Sequence, residues 1–310
     1  MGIAETATMS GLDYLLHPDG LTSETYCNSY PCIRLTNIFD PDAEDVTIAE
    51  PTTMFTDYLL MAELLIIAVL LLRSRNVVTW DPVLGRNVVT RGSWRDSPIR
   101  NQFWAAGCFL LALSFAAGGT EHGFALYLKC DGRDQCIGSS WVWVATLLLQ
   151  TPGLALPVIG TAHLVLSRES CWVRVAQAYG AAIVVVFSAL VVVSAVSTPL
   201  DGYFLSFLNV IAFSVPSILI VLALACLPLC CRRPAGGPAR SAALFLAGWI
   251  VCIVSLAWQA SGIGVHEHFN HNDIFHSIFF VGLAVVAAGL LARVTEDRRQ
   301  AEDELKGVQV

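Results

Sequence analysis

The sequence predicts an all-α integral membrane protein, a bundle of seven transmembrane helices with the N-terminus outside and the C-terminus inside. Three observations predict it. Charged residues make up only 14% of the 310, where a soluble domain carries about 25%, and the mean hydropathy is +0.62. Seven apolar segments, 55–73, 102–127, 141–166, 174–196, 203–229, 241–262 and 272–293, are about as long as the roughly 20 residues needed to cross the hydrocarbon. The runs are continuous, as in Leu64 to Leu72 or Ile183 to Val193, rather than alternating, which selects helices over a barrel.

Orientation follows from where the arginines lie. Residues 1–50 hold nine acidic side chains and one basic one, Arg34. The first interhelical loop carries Arg73, Arg75, Arg86, Arg91, Arg95 and Arg100. Arg168 and Arg174 flank the third loop, Arg232, Arg233 and Arg240 fill the fifth, and Arg293, Arg298 and Arg299 follow the last span. Arginine therefore recurs on alternate sides, and the positive-inside rule puts those loops in the cytoplasm. The chain divides into an acidic extramembrane tail (1–54), the helical domain (55–293) and a cytoplasmic charged helix (294–310). The first 50 residues lack a basic n-region followed by an apolar h-region, so the first span is expected to insert as its own anchor.

The tail is rich in Asp, Pro, Ser and Thr and reads as irregular, broken at Pro31, Pro41 and Pro51. Thr56 and Asp57 open the first span, where Asp57 suits either a helix cap or an active-site carboxylate. Glu63, almost two turns deeper, must face other helices or water. The first inner loop repeats RNVVT, at 75–79 and 86–90, around WDPVLG, the pattern of a hairpin. Gly118, Gly119 and Gly123 near the end of the second span allow another helix to come close. Cys27, Cys32, Cys130 and Cys136 lie on the oxidising side and suggest two disulfides, with local pairing and a tail-to-loop clasp both open. Pro152 and Pro157 predict a kink in the third span, and His163 near its inner end reads as interfacial. The C-terminal VTEDRRQAEDELK reads as a solvated helix with paired charges.

The stretch GIGVHEHFNHNDIFH, 262–276, holds four of the seven histidines directly before the last apolar run. Ionisable residues entering a bilayer are costly and mark functional sites. The topology brings further groups to the same depth. Asp57 begins an inward-running span, and Glu121 and His122 end an outward-running one. Gln259, His266 and His268 close the sixth, and His271, Asp273 and His276 open the seventh. Asp273 and His276 are three apart, and Asn272 and His276 four apart, so each pair shares a helix face. A zinc site needs about three converging imidazoles or carboxylates. His122 and His276 with Asp273 or His271 supply that set, and Asp57 or Glu121 would shuttle protons. A buried His–Asp–Asn network that only locks the helices is the competing reading.

NDIFHSIFFVGLAVVAAG resembles the seventh-span motif of progestin/adiponectin receptors, in which an HQIFH-type sequence supplies two histidines four apart. GGTEHG is similar to the second-span SxxxH motif of those receptors and of alkaline ceramidases. Both belong to the CREST group of seven-span metal-dependent hydrolases. The resemblance implies zinc held by second- and seventh-span histidines, cleavage of lipid amides or esters, and, from the ceramidase branch, an outer N-terminus. His122 and His276 match the motifs directly. Gly118 stands at the serine position and Asn272 at the first seventh-span histidine, so a third ligand falls to Asp273 or His271.

Two other classes compete. A non-catalytic membrane subunit or receptor would keep the scaffold and use the polar cluster for structure or ligand binding. A rhodopsin is excluded because Lys129 and Lys306 are the only lysines and neither lies in the last span. A G-protein-coupled receptor is disfavoured by the lack of DRY after the third span and of NPxxY in the seventh. The expected partners are membrane lipids and membrane-protein assembly partners, with no nucleic acid, and the expected location is the plasma membrane or an endomembrane.

Overall fold

The computed structural model describes residue 27 and residues 32–35, 46–73, 77–81, 86–90, 99–130, 139–166, 169–197, 205, 207–230, 239–261, 263–265 and 269–307. His266, Glu267, His268 and Cys136 lie outside the described residues. Long helices dominate: α1 Pro51–Arg73, α2 Ile99–Gly123, α3 Trp141–Val165, α4 Cys171–Ser197, α5 Phe207–Cys230, α6 Ala239–Ser261 and α7 His271–Gly307. Among the described residues, six helices are long and apolar enough to cross a membrane, namely α1 to α4, α6 and the His271–Glu296 part of α7. Within α5 the described side chains, Ser214–Cys226, form an apolar stretch. The chain is a multi-pass membrane protein.

Packing follows a ring. Neighbours run α1–α2–α3–α5–α6–α7 and back to α1, while α4 packs outside on α3. One apolar cluster joins Leu60, Leu64 and Leu71 of α1 with Trp104 and Leu111 of α2, Val158 of α3, Val221 of α5, Trp249 of α6 and Leu283 of α7. A second one seats Phe187 and Val191 of α4 on Val144 and Leu147 of α3. Glycine sets the closest seams. A Cβ on Gly282 would lie 2.6 Å from Cys252 Sγ and 3.0 Å from its backbone nitrogen, and one on Gly119 would lie 3.0 Å from Asp57 Cβ. In lipid, where apolar surface gives no net drive to associate, such backbone approach supplies the packing. Both prolines of the third span lie inside α3, and Pro157 packs where Gly107 of α2 leaves room.

Two elements differ from the sequence reading. The first helix begins at Pro51 rather than near residue 55, with the Glu50 carbonyl accepting the first helical bond from Met54 N at 3.0 Å. Proline is preorganised for that first position, so Thr56 and Asp57 lie in the second turn and Asp57 is not a cap. The tail is not wholly irregular either. Cys32–Leu35 (β1) and Val46–Ala49 (β2) pair antiparallel, and a Cys27–Cys32 disulfide ties the tail locally. The β2 strand rests on a π-helical turn, Leu126–Cys130, where Ala49 packs with Ala125 and the disulfide-bonded Cys130. The repeat in the first loop forms the expected hairpin, Val77–Asp81 (β3) against Arg86–Thr90 (β4). The charged C-terminal segment continues α7 without a break to Gly307.

Candidate functional site

Of the polar groups singled out in the sequence, Asp57, Glu121, His122, Gln259, His271, Asp273 and His276 lie at one end of the bundle, where α1, α3 and α7 start and α2 ends. The start of α7 shows how the chain builds it. Asn270 caps the helix, its Oδ1 accepting from Asn272 N at 2.8 Å and Asp273 N at 3.3 Å. Asp273 Oδ2 accepts from Asn270 N at 2.8 Å, which completes a reciprocal capping box. Its other oxygen accepts the Thr53 hydroxyl of α1 at 2.9 Å. Both oxygens of Asp273 are therefore committed to holding α7 and α1 in place. Asn272 is tied to Gln259 of α6.

One turn further along α7, His276 is buried and meets α1 with both ring nitrogens. Nδ1 lies 2.9 Å from Thr56 Oγ1, and Nε2 lies 3.3 Å from Asp57 Oδ1. The Thr56 hydroxyl donates its proton to the Thr53 carbonyl at 3.0 Å. The same hydroxyl can give that proton to His276 Nδ1 instead, so the Thr56 contact does not by itself fix the imidazole tautomer. Nε2 faces a carboxylate oxygen, and a proton on either group or a cation between them satisfies the contact. Asp57 is 3% exposed, and its Oδ2 is buried with no hydrogen-bond partner. Phe115 and Phe275 wall the imidazole.

His122, at the end of α2, turns Nδ1 to Glu50 Oε2 at 3.2 Å. Glu50 was not among the residues singled out in the sequence. It sits between β2 and α1, 4% exposed, with φ +46°. Burial opposes its charge, but His122 and Lys129 outweigh that and hold its carboxyl below the usual range. His122 also lies within electrostatic reach of Asp57, His271 and His276. Glu121 points elsewhere. Lys129 Nζ pairs with its Oε1 at 3.2 Å and the Ser140 hydroxyl donates to its Oε2, a clamp between the end of α2 and the start of α3. Gly118 stands over Asp57, where a Cβ would lie 3.5 Å from Oδ2.

Among the described residues, no three His, Cys, Asp or Glu side chains stand as a ready metal-ligating group. The pair Asp57 and His276 brings two such donors together. Two donors on a shared tetrahedral zinc, each about 2.0–2.1 Å from it, stand roughly 3.3 Å apart, the separation observed here. With the orphaned Oδ2, the donor chemistry of this corner fits a cation.

The chain belongs to the DUF6962 family, a family of unknown function, whose model matches residues 52–295. The match begins just after Glu50 and spans α1 to the apolar part of α7. No curated protein and no solved structure matches the chain.

Proposed function

We propose that this chain is a seven-span, CREST-like membrane hydrolase of lipid amides or esters, with its N-terminal tail outside and its C-terminal helix in the cytoplasm. In this reading α5 is the seventh span. Asp57, His122 and His276 would hold a zinc ion, replacing Asp273, whose oxygens are taken by the Asn270 cap and Thr53. His271, within electrostatic reach of Glu50 and His122, remains a reserve ligand. The observation that carries the reading is His276 Nε2 facing Asp57 Oδ1 at 3.3 Å, beside an unpartnered Oδ2.

Zinc, when bound, supplies a water acidic enough to act as a nucleophile near neutral pH. The chain's own residues do the rest. Thr56 fixes the His276 ring, Phe115 and Phe275 keep water off its faces, and Asp57 Oδ2 is free to take a proton. Glu121, clamped by Lys129 and Ser140, is given no catalytic role.

A second reading, a non-catalytic subunit or receptor with a structural polar cluster, is favoured by those same clamps at Glu121 and Asp273. One experiment separates the two. The full chain, purified without chelator, should carry about one zinc per molecule, and His276→Ala or His122→Ala should lose it while the protein still assembles. It should also cleave an N-acyl lipid in mixed micelles. A wild type that takes up no zinc on titration overturns the hydrolase reading.

A further inference from the structure

A cavity lies away from the candidate site, between the middles of α3, α4 and α5. Its walls include Gln150 and Thr151 of α3, Phe187 of α4, and Ser214 and Ser217 of α5. Of these, only Phe187 is apolar. Polar side chains at such depth need partners inside the protein, because hydrocarbon offers none.

Two of the four polar residues are partnered. Thr151 Oγ1 donates to the Leu147 carbonyl at 3.1 Å. Ser217 Oγ lies 3.0 Å from the Tyr179 hydroxyl of α4, and either can donate. The side chains of Ser214 and Gln150 have no hydrogen bond among the described residues, although Ser214 is only 8% exposed. A buried hydroxyl left unpaired is costly, and folded proteins pair such groups with protein or with ordered water.

The size of the cavity decides between partners. About 10 Å³ is open to the centre of a water-sized sphere, and one water needs roughly 10–15 Å³ on that measure. A lipid hydroxyl or amide would have to bring its chain along, and there is no room for it. The chemistry agrees with the size. A buried water takes about two to four polar partners, and two serine hydroxyls and an amide supply both donors and acceptors. Pro152, next to Thr151, has no N–H and breaks one backbone bond of α3. Ordered water commonly fills such openings in membrane spans.

We propose that this cavity binds one water, held by Gln150, Ser214 and Ser217. The water joins α3 to α5 and, through Ser217 and Tyr179, to α4. Helix α4 otherwise leans on α3 through Phe187 and Val191, so the water completes a polar joint of three helices. Such a joint holds in lipid, where apolar contact alone gives no net drive to associate.

The test exposes full-length protein in phosphatidylcholine nanodiscs to hydroxyl radicals generated by X-rays. Bound water forms radicals in place and labels the side chains beside it. Phe187, which lines the cavity and is 2% exposed, is the reporter. It should be labelled in the wild type and in Ser214→Ala, which keeps Gln150 and Ser217. Ser214→Val adds bulk and removes a partner, and the label should be lost. Gln150→Leu should lose it too, and it serves if Ser214→Val fails to assemble. An unlabelled Phe187 in the wild type means a dry cavity and overturns the proposal. A label that persists in the assembled Ser214→Val and Gln150→Leu variants means that the radicals come from elsewhere, which also overturns it.

Discussion

Asp273 and Thr53 lie 220 positions apart in the chain, and the 2.9 Å bond between them is where the last helix is pinned to the first. The same carboxylate closes the first turn of α7 through Asn270 N. Asp273→Ala removes a cap bond, worth about 1 kcal/mol, and leaves a buried hydroxyl without its acceptor, at about a further 1 kcal/mol. Thermal unfolding in detergent should show a loss of about 2 kcal/mol, with zinc content unchanged. A variant that keeps its stability but loses zinc would return Asp273 to the ligand set.

The pair Asp57 and His276 makes the opposite prediction. If they were a simple buried ion pair, Asp57→Asn would strand a charged imidazole and cost about 3–5 kcal/mol. If the imidazole is neutral with its proton on Nδ1, as zinc binding at Nε2 requires, the amide can instead donate to Nε2. The metal-stripped variant should therefore melt within about 1 kcal/mol of the wild type, while zinc binding weakens by at least 100-fold. Differential scanning with and without zinc reads both effects.

These two residues also show what the sequence could and could not disclose. Their common end was legible, because the alternation of the spans brings the starts of the first and last helices together. Their partners were not. The Asn270–Asp273 capping pattern was present in NHND, but a carboxylate next to histidines reads equally well as a ligand. Only packing decides which donor reaches its oxygens first. Glu50 was hidden differently, as one of nine acidic residues in a segment that reads as solvated tail. The one local signal was the Glu-Pro step that starts a helix, and it was missed because the apolar run begins later. Strands β1 and β2, at four residues each, are too short for alternation to declare them.

Glu50 also sets an acid limit. Burial raises the cost of its charge, but His122 and Lys129 hold its carboxyl below the usual glutamate value of about 4.3. A group depressed on folding contributes stability that is fully present above its unfolded pKa and is lost as pH falls through the folded one. The tail hairpin should thus stay docked at neutral pH and loosen below about pH 4. Protease accessibility of the tail against pH reads this, and Glu50→Gln should abolish that acid step.

Glu63 lies deeper in α1, 9% exposed, with Oε2 buried and unpartnered. Nothing in the proposed chemistry uses it. An unsatisfied buried polar group costs about 1–3 kcal/mol, so Glu63→Met should raise stability by about 1–2 kcal/mol and leave zinc content alone. A lower melting temperature would mean that Glu63 has a partner such as an internal water, and hydrolysis by the variant would then show whether that partner matters to the reaction.

Gly118 stands over Asp57, and the geometry says what a serine would do here. A Cβ at Gly118 would sit 3.5 Å from Asp57 Oδ2 and 3.8 Å from Thr146 Cγ2, ordinary contacts that need no movement of α1. The neighbouring Gly119 is different, since a Cβ there would lie 3.0 Å from Asp57 Cβ and 3.2 Å from the Met54 carbonyl. Gly118→Ser should therefore fold and bring a hydroxyl within reach of the one Asp57 oxygen that has no donor. In the metal-stripped protein that bond is worth about 1 kcal/mol, to which the helix interior adds roughly a further 0.5 kcal/mol on replacing glycine. Gly119→Ala should instead lose about 1–3 kcal/mol, because it pushes backbone against backbone. Thermal melts of both variants check the pair. A destabilised Gly118→Ser would mean that Oδ2 already has a partner in the metal-free state, and the account of Asp57 as an orphaned carboxylate would fall with it.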